Sequence, residues 1–405
     1  MDLSAFHPAV QRWFPSAFAA PTAAQTQGWE EIAAGRHTLI EAPTGSGKTL
    51  AAFLWCLNDL LCRPPSEPGV QVLYISPLKA LNNDIQRNLE IPLEGIRQAA
   101  VELGLTSPEL TVGVRTGDTP PALRQRQVRR PPELLITTPE SLYLLLTARK
   151  SQDMFRGLRY VILDEIHAVA STKRGVHLAL TLERLEEAAR LRSGSLHPTP
   201  CTLHPTPPVR IGLSATQRPL ELIARLLGGY DDAGQARPVS IVRAHEDKQI
   251  AINLTYPFAA SDEETDFMHH AARIILQEAA NHRSTLVFCN ARHVCERLAE
   301  VLNKQAGQQV AVAHHGSIAR ERRLEIEQAL KAGELPLLVA TSSLELGIDV
   351  GSVDLVIQVG STKSVSRALQ RVGRAGHQVG AVSRGKIIAQ HPSDLLDAAA
   401  CVRGV

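Results

Sequence analysis

The sequence predicts an α/β protein of two tandem domains, each a mostly parallel sheet flanked by helices. Three observations predict it. Short apolar runs alternate with helical patterns over residues 37–216, and a second such series spans 250–389. The runs are apolar throughout and not at every second position, as in strands covered on both faces. A chain of 405 residues is long for one core and comfortable for two.

Taken in order, the first series gives strands at His37–Ala42, Val70–Ser76, Leu110–Thr116, Leu134–Thr137, Tyr160–Glu165 and Val209–Ala215. The second gives strands at Ile250–Tyr256, Thr285–Asn290, Gln309–His315, Leu335–Thr341, Val353–Val359 and Lys386–Ala389. Helices are expected between the latter at Glu263–Glu278, His293–Asn303 and Arg320–Lys331. The stretch 228–238, GGYDDAGQARP, reads as a linker, so the domains are expected at 1–235 and 236–405. Residues 193–208 hold the pentapeptide LHPTP twice and read as a loop that arose by local duplication, with no metal role for His197 and His204. The closing residues begin a helical pattern and stop, as in a chain cut short after its second domain.

Composition narrows the function classes. The formal net charge is +2 and aromatic residues are 4%, so affinity for nucleic acid would rest on local basic patches and not on a global field or stacking platforms. None of the six cysteines forms a CxxC pair, which argues against a zinc ribbon. No signal peptide or stretch of about 18 apolar residues is present, so a cytoplasmic protein without membrane contact is expected.

The chemistry centres on EAPTGSGKTL, Glu41–Leu50, between an apolar strand and an apolar helix. In that context the stretch is a phosphate loop, with Thr44, Gly45, Ser46, Gly47, Lys48 and Thr49 as the candidate cradle. The glycines let backbone N–H groups turn inward, Lys48 can reach terminal phosphates, and the Thr49 hydroxyl can hold Mg²⁺. Ala42 stands where the general pattern has its first glycine. A second apolar strand ends in Asp164-Glu165, which suits Mg²⁺ binding by Asp164 and polarisation of water by Glu165. The basic run Arg124–Arg130 puts its charges on more than one helix face and reads as a solvated helix.

These residues sit in a longer set that resembles the motor core of superfamily 2 helicases. Phe18–Gln25 is similar to the adenine-recognising Q motif, Ser76–Leu81 to motif Ia, and Thr137–Leu142 to motif Ib. Asp164–His167 resembles a DExH-type motif II, and Leu213–Thr216 motif III. In the second domain Leu286–Asn290 resembles motif IV, Ala340–Asp349 motif V, and Gln370–His377 motif VI. GVRTGDT, HHGS and QRVGRAGH look most like the large helicase-related (Lhr) family. The resemblance implies two RecA-like domains with ATP and Mg²⁺ in the cleft between them. It implies Gln25 on the adenine edge, Asp349 and Arg371 among the nucleotide contacts, and Arg374 as an arginine finger with Gln370 orienting phosphate or water. Histidine at 377 replaces the second arginine of many relatives. Ser214 and Thr216 would couple ATP state to closure. Lys79, Arg115, Thr138, Arg292, Gly316 and Ser342 would line a groove for single-stranded DNA or RNA, at duplex or hybrid junctions. The implied function is an ATP-dependent translocase or helicase with direction 3′ to 5′, lacking C-terminal accessory domains. The alternatives are a duplex translocase or remodeller, and an ATP-gated clamp without processive unwinding.

Overall fold

Seven parallel strands form the sheet of the first unit and six that of the second. The computed structural model describes residues 2–43, 46–65, 67–77, 79–193, 207–215, 219–244, 249–257, 267–345, 353–376 and 382–403. Within those helices the side chains at 79–84, 87–88, 191–193 and 320 are outside the description. The chain divides into two compact units, Met1–Glu246 and Asp247–Val405.

In the first unit the strands are β1 (His37–Glu41), β2 (Val72–Ile75), β3 (Val112–Arg115), β4 (Leu134–Thr137), β5 (Tyr160–Leu163), β6 (Val209–Ser214) and β7 (Val239–Arg243). Their order is β3-β4-β2-β5-β6-β1-β7, and every pairing is parallel. β2, β4 and β5 are buried along their whole length, which explains their unbroken apolar runs. Leu39, Leu73, Leu135 and Val161 enter one core with Leu178, Leu182 and Leu185 from the helix Lys173–Ser193.

The stretch 228–238 is not a linker. Tyr230 and Ala236 pair across a tight antiparallel bridge, and β7 then lies alongside β1 from His37↔Val239 to Glu41↔Arg243. Gly, Asp and Pro mark tight turns as readily as linkers, and here they turn the chain into one more strand. The first unit therefore continues past 235 to Glu246. Arg237 closes that turn from beneath, reaching Glu183 at 3.0 Å and Glu186 at 3.1 Å. Arg210, at the start of β6 and fully buried, shares both acids, at 3.0 and 2.6 Å. It also donates to the carbonyls of Leu227 and Gly228. This ionic cluster sits at the amino edge of the sheet, where the His37 ring accepts the Arg210 backbone N–H at 3.1 Å.

The second unit holds β8 (Ile250–Thr255), β9 (Thr285–Phe288), β10 (Ala311–His314), β11 (Leu337–Ala340), β12 (Leu355–Val359) and β13 (Ser383–Ile388). The order is β10-β11-β9-β12-β13-β8, again all parallel. Helices Phe267–Ala279, Arg292–Ala306 and Arg320–Lys331 match the expected positions within a few residues. The LHPTP repeats lie outside the described residues. Among the described residues no helix is long and apolar enough to cross a membrane.

Candidate active site

Parallel strands put all their carboxyl ends on one edge, so strand order decides which loops meet there. In the first unit β5, β6 and β1 are neighbours. The loop after β1 (Ala42–Gly47), the acids after β5 (Asp164, Glu165) and Ser214 at the end of β6 therefore share one half of the rim. β3, β4 and β2 make the other half, which brings Arg115, Thr138 and Lys79 together.

The phosphate loop is held from two sides. Gly47 has φ of 76°, the left-handed region open to glycine, and begins the helix Lys48–Cys62. The Gln25 amide lies so close that a Cβ at 47 would stand 2.7 Å from its nitrogen. Thr22 donates its hydroxyl to the Ser46 carbonyl at 2.9 Å, and Thr22 and Gln25 form a reciprocal capping box. Gln25 is thus tied to the loop itself: its side-chain oxygen accepts from the Thr22 N–H, and its nitrogen faces Gly47. The Lys48 ammonium donates to the carbonyls of Ala42 and Pro43 across the loop, and Ser46 donates its hydroxyl to Pro43 at 2.7 Å. Ala42 itself is buried and continues the β1–β6 ladder by donating to the Ser214 carbonyl at 3.2 Å. Thr44 and Gly45 lie outside the described residues.

The acids after β5 are firmly placed. Asp164 accepts from the Tyr74 hydroxyl and, at 2.9 Å, from the Glu165 backbone N–H. Burial, reinforced by the adjacent Glu165 carboxylate, pushes the Asp164 carboxyl above the ordinary range. Glu165 adopts φ of 46°, which costs a non-glycine residue about 1–3 kcal/mol. Ile166 anchors that turn by donating to the Leu213 carbonyl at 3.1 Å. His167 Nε2 lies 3.3 Å from the Glu165 carboxylate. Its Nδ1 accepts from the Ala215 N–H at 3.3 Å and contacts the Ser214 hydroxyl at 3.3 Å. The ring hydrogen therefore belongs on Nε2, facing Glu165. Ser214, expected in coupling, is linked to Glu165 through this histidine; Thr216 is outside the described residues. Tyr74 and His167 were missed as site residues. The DExH pattern contained the histidine, while Tyr74 gives no signal beyond an apolar strand.

In the second unit the arginines separate into different roles. Arg371, on the helix Val365–Val372, is fully buried. It donates to Glu345 at 2.8 and 3.1 Å, to Asn290 at 3.1 Å and to Gln358, with its guanidinium 5.1 Å from the Phe288 ring centre. These bonds engage four of its five N–H groups inside this unit. Arg374, just past the helix, donates from Nη2 to the Glu345 carbonyl at 2.9 Å. Gln370 is buried beside them. Asp349 and His377 lie outside the described residues.

Of the strand-contact candidates, Arg292, Gly316 and Ser342 follow β9, β10 and β11, which are neighbours. Arg292 holds the Ser317 hydroxyl at 2.6 Å, and a side chain at Gly316 would meet nothing within 4 Å. His315 braces that turn, accepting from the Ser317 N–H at 3.3 Å and donating to Glu296 at 2.6 Å. Two first-unit candidates also take part in local structure. The Arg115 guanidinium donates to the Arg124 carbonyl at 2.9 Å, and burial lowers its pKa. Thr138 is buried, caps the helix Pro139–Thr147 and bonds Ser141 at 3.0 Å. The Lys79 side chain is not described. Arg124 clamps the carbonyls of Gly117 and Thr119, while Arg126, Arg129 and Arg130 are exposed. Among the described residues no group of three or more His, Cys, Asp or Glu side chains could hold a metal.

Comparison with known proteins agrees with this geometry. A DEAD/DEAH box helicase model matches residues 22–223, and a helicase conserved C-terminal domain model matches 267–378. The chain is 45% identical to the Lhr helicase/probable uracil glycosylase of Mycolicibacterium smegmatis over 99% of its own length. The solved structure of Mycobacterium smegmatis helicase Lhr bound to ssDNA and AMP-PNP superimposes with a TM-score of 0.86 at 45% identity, covering 100% of this chain and 50% of that one. This chain belongs to the superfamily 2 helicases. Within them it is most like the Lhr proteins, which include the ATP-dependent helicase Lhr-Core protein 2 of Thermococcus barophilus, 44% identical over 96% of this chain. It spans 28% and 44% of the two curated relatives' lengths. Both units are RecA-like α/β domains of the helicase fold.

Proposed function

We propose that this chain is an Lhr-type motor that hydrolyses ATP to move along a single strand of nucleic acid. The observation that carries the reading is the meeting of Lys48, Asp164 and Glu165 on the β5-β6-β1 rim. Lys48 holds the terminal phosphates and Glu165 polarises the attacking water. The donor set fits Mg²⁺: Thr49 and Asp164 offer hard oxygens, the latter through water, and two adjacent acids favour a cation between them and the phosphates. Bound there, Mg²⁺ would neutralise charge on the phosphates. Arg374 serves as the finger when the two units close, with Gln370 orienting water or γ-phosphate and Asp349 contributing from motif V. The relative bound to ssDNA and AMP-PNP supports both ligands. Arg292, Gly316, Ser317 and Ser342 would take phosphates of the strand without reading sequence. DNA or an RNA–DNA hybrid, 3′ to 5′, is the proposed substrate and direction.

The test is ATP turnover against single-stranded DNA, single-stranded RNA, duplex and hybrid. Lys48→Ala or Glu165→Gln should abolish stimulated turnover and leave both units folded; normal turnover in either variant would overturn the site. A second reading, translocation with little processive unwinding, has its own observation. Only residues 360–364 separate β12 from the helix Val365–Val372, which leaves no room there for a strand-separating hairpin. Efficient unwinding of long duplexes by this chain alone would exclude it.

A further inference from the structure

Tyr74 stands between the Asp164 carboxylate and the helix that carries Thr49. It donates to Asp164 Oδ2, and its ring packs against Phe53 on the helix Lys48–Cys62, which carries Thr49. Thr49 opens the helix that follows the phosphate loop, and Asp164 follows β5.

Its own position is strongly constrained. Tyr74 pairs in register with Ile162 of β5, so it shares a sheet face with Ile162 and, two residues on, Asp164. The Asp164 N–H continues the ladder by donating to the Ile75 carbonyl at 2.9 Å. On the other side the Tyr74 ring stacks on Phe53, one helical turn after Thr49, with centroids 4.8 Å apart and planes at 12°. The ring is thus locked to the helix that carries Thr49 and to the strand neighbouring the one that carries Asp164. A buried hydroxyl costs free energy unless it is bonded; a phenylalanine or leucine would fill the same core space without that demand.

We propose that Tyr74 is a positioning residue that fixes the orientation of Asp164 relative to the helix that carries Thr49, for a divalent cation on bound nucleotide. The inference rests on the nucleotide-site reading and concerns the metal half of that site alone. Outer groups that orient metal ligands typically contribute about 10–100-fold to metal affinity.

The test is Tyr74→Phe, which keeps the stack on Phe53 and removes only the hydroxyl. ADP affinity is measured in EDTA, and Mn²⁺ affinity of the ADP complex by electron paramagnetic resonance. The expected result is Mn²⁺ affinity weaker by about 10-fold, unchanged ADP affinity in EDTA, and a thermal melt close to that of the parent. Unchanged Mn²⁺ affinity overturns the inference, as does an equal loss of ADP affinity with and without metal, because a general packing role would act on both. A parent chain that binds no ADP under either condition overturns the nucleotide site, and this inference with it.

Discussion

Replacing Arg371 by methionine decides between two roles for motif VI. If Arg371 were a phosphate contact, the substitution would weaken nucleotide binding and leave stability alone. The structure argues the reverse. Glu345 is only 6% exposed, and Arg371 supplies two of its hydrogen bonds, at 2.8 and 3.1 Å. Among the described residues, what remains for the carboxylate is Arg367 at 3.2 Å, a side chain half in solvent. Asn290 and Gln358 lose donors at the same time. Stranding a buried charge in this way costs about 3–5 kcal/mol. At about 2–4 °C per kcal/mol for a domain of this size, the melting transition of the second unit should fall by about 6–20 °C. Calorimetry should show that transition moving while the first unit's stays in place. The double variant Arg371→Met/Glu345→Leu removes both partners and should recover most of the loss. An unchanged melt with weaker nucleotide binding would refute the reasoning and return Arg371 to the phosphate.

Two further outcomes follow from the same geometry. Arg374→Lys keeps the charge but loses the planar fork, so kcat should fall by about 10³-fold or more with strand affinity preserved in a binding titration. Burial and the neighbouring Arg210 hold the His37 imidazole down to about 4, so the folded chain resists its protonation. Stability that is whole above about pH 6.5 should therefore be lost as the pH falls from there towards 4, by about 1–2 kcal/mol at pH 5 after allowing for the ring's exposed edge. His37→Asn keeps an acceptor for the Arg210 N–H, and urea titrations at pH 5 and 7.5 should show that difference removed.

The sheets were largely legible because a parallel strand covered on both faces is apolar at nearly every position, and β2, β4, β5, β9 and β11 are, with Thr137 and Thr285 at strand ends. β7 was not, because it follows a Gly- and Pro-rich turn and is only partly buried. The phosphate loop and the acids were legible as strand-end motifs. The division of labour between Arg371 and Arg374 was not, since three positions of helical register decide it: one falls inside the last turn against the core, the other just beyond it. Tyr74 was hidden for a different reason. Its partner Asp164 lies 90 residues along the chain, and nothing local distinguishes a bonded phenol from a core ring.

The two edges of the first sheet also differ in what they tolerate. The carboxyl edge holds the reacting groups, while the amino edge is bolted by Arg210, Arg237, Glu183 and Glu186. The helix Lys173–Ser193 precedes β6 in the chain, and β6 starts at a junction on the bolted side. The six residues of β6 put about 20 Å of strand between that junction and Ser214. A lineage can lengthen the chain here without selection on turnover opposing it. For the same reason this junction, and none on the opposite rim, is the place to insert a fluorophore or affinity handle in a working motor.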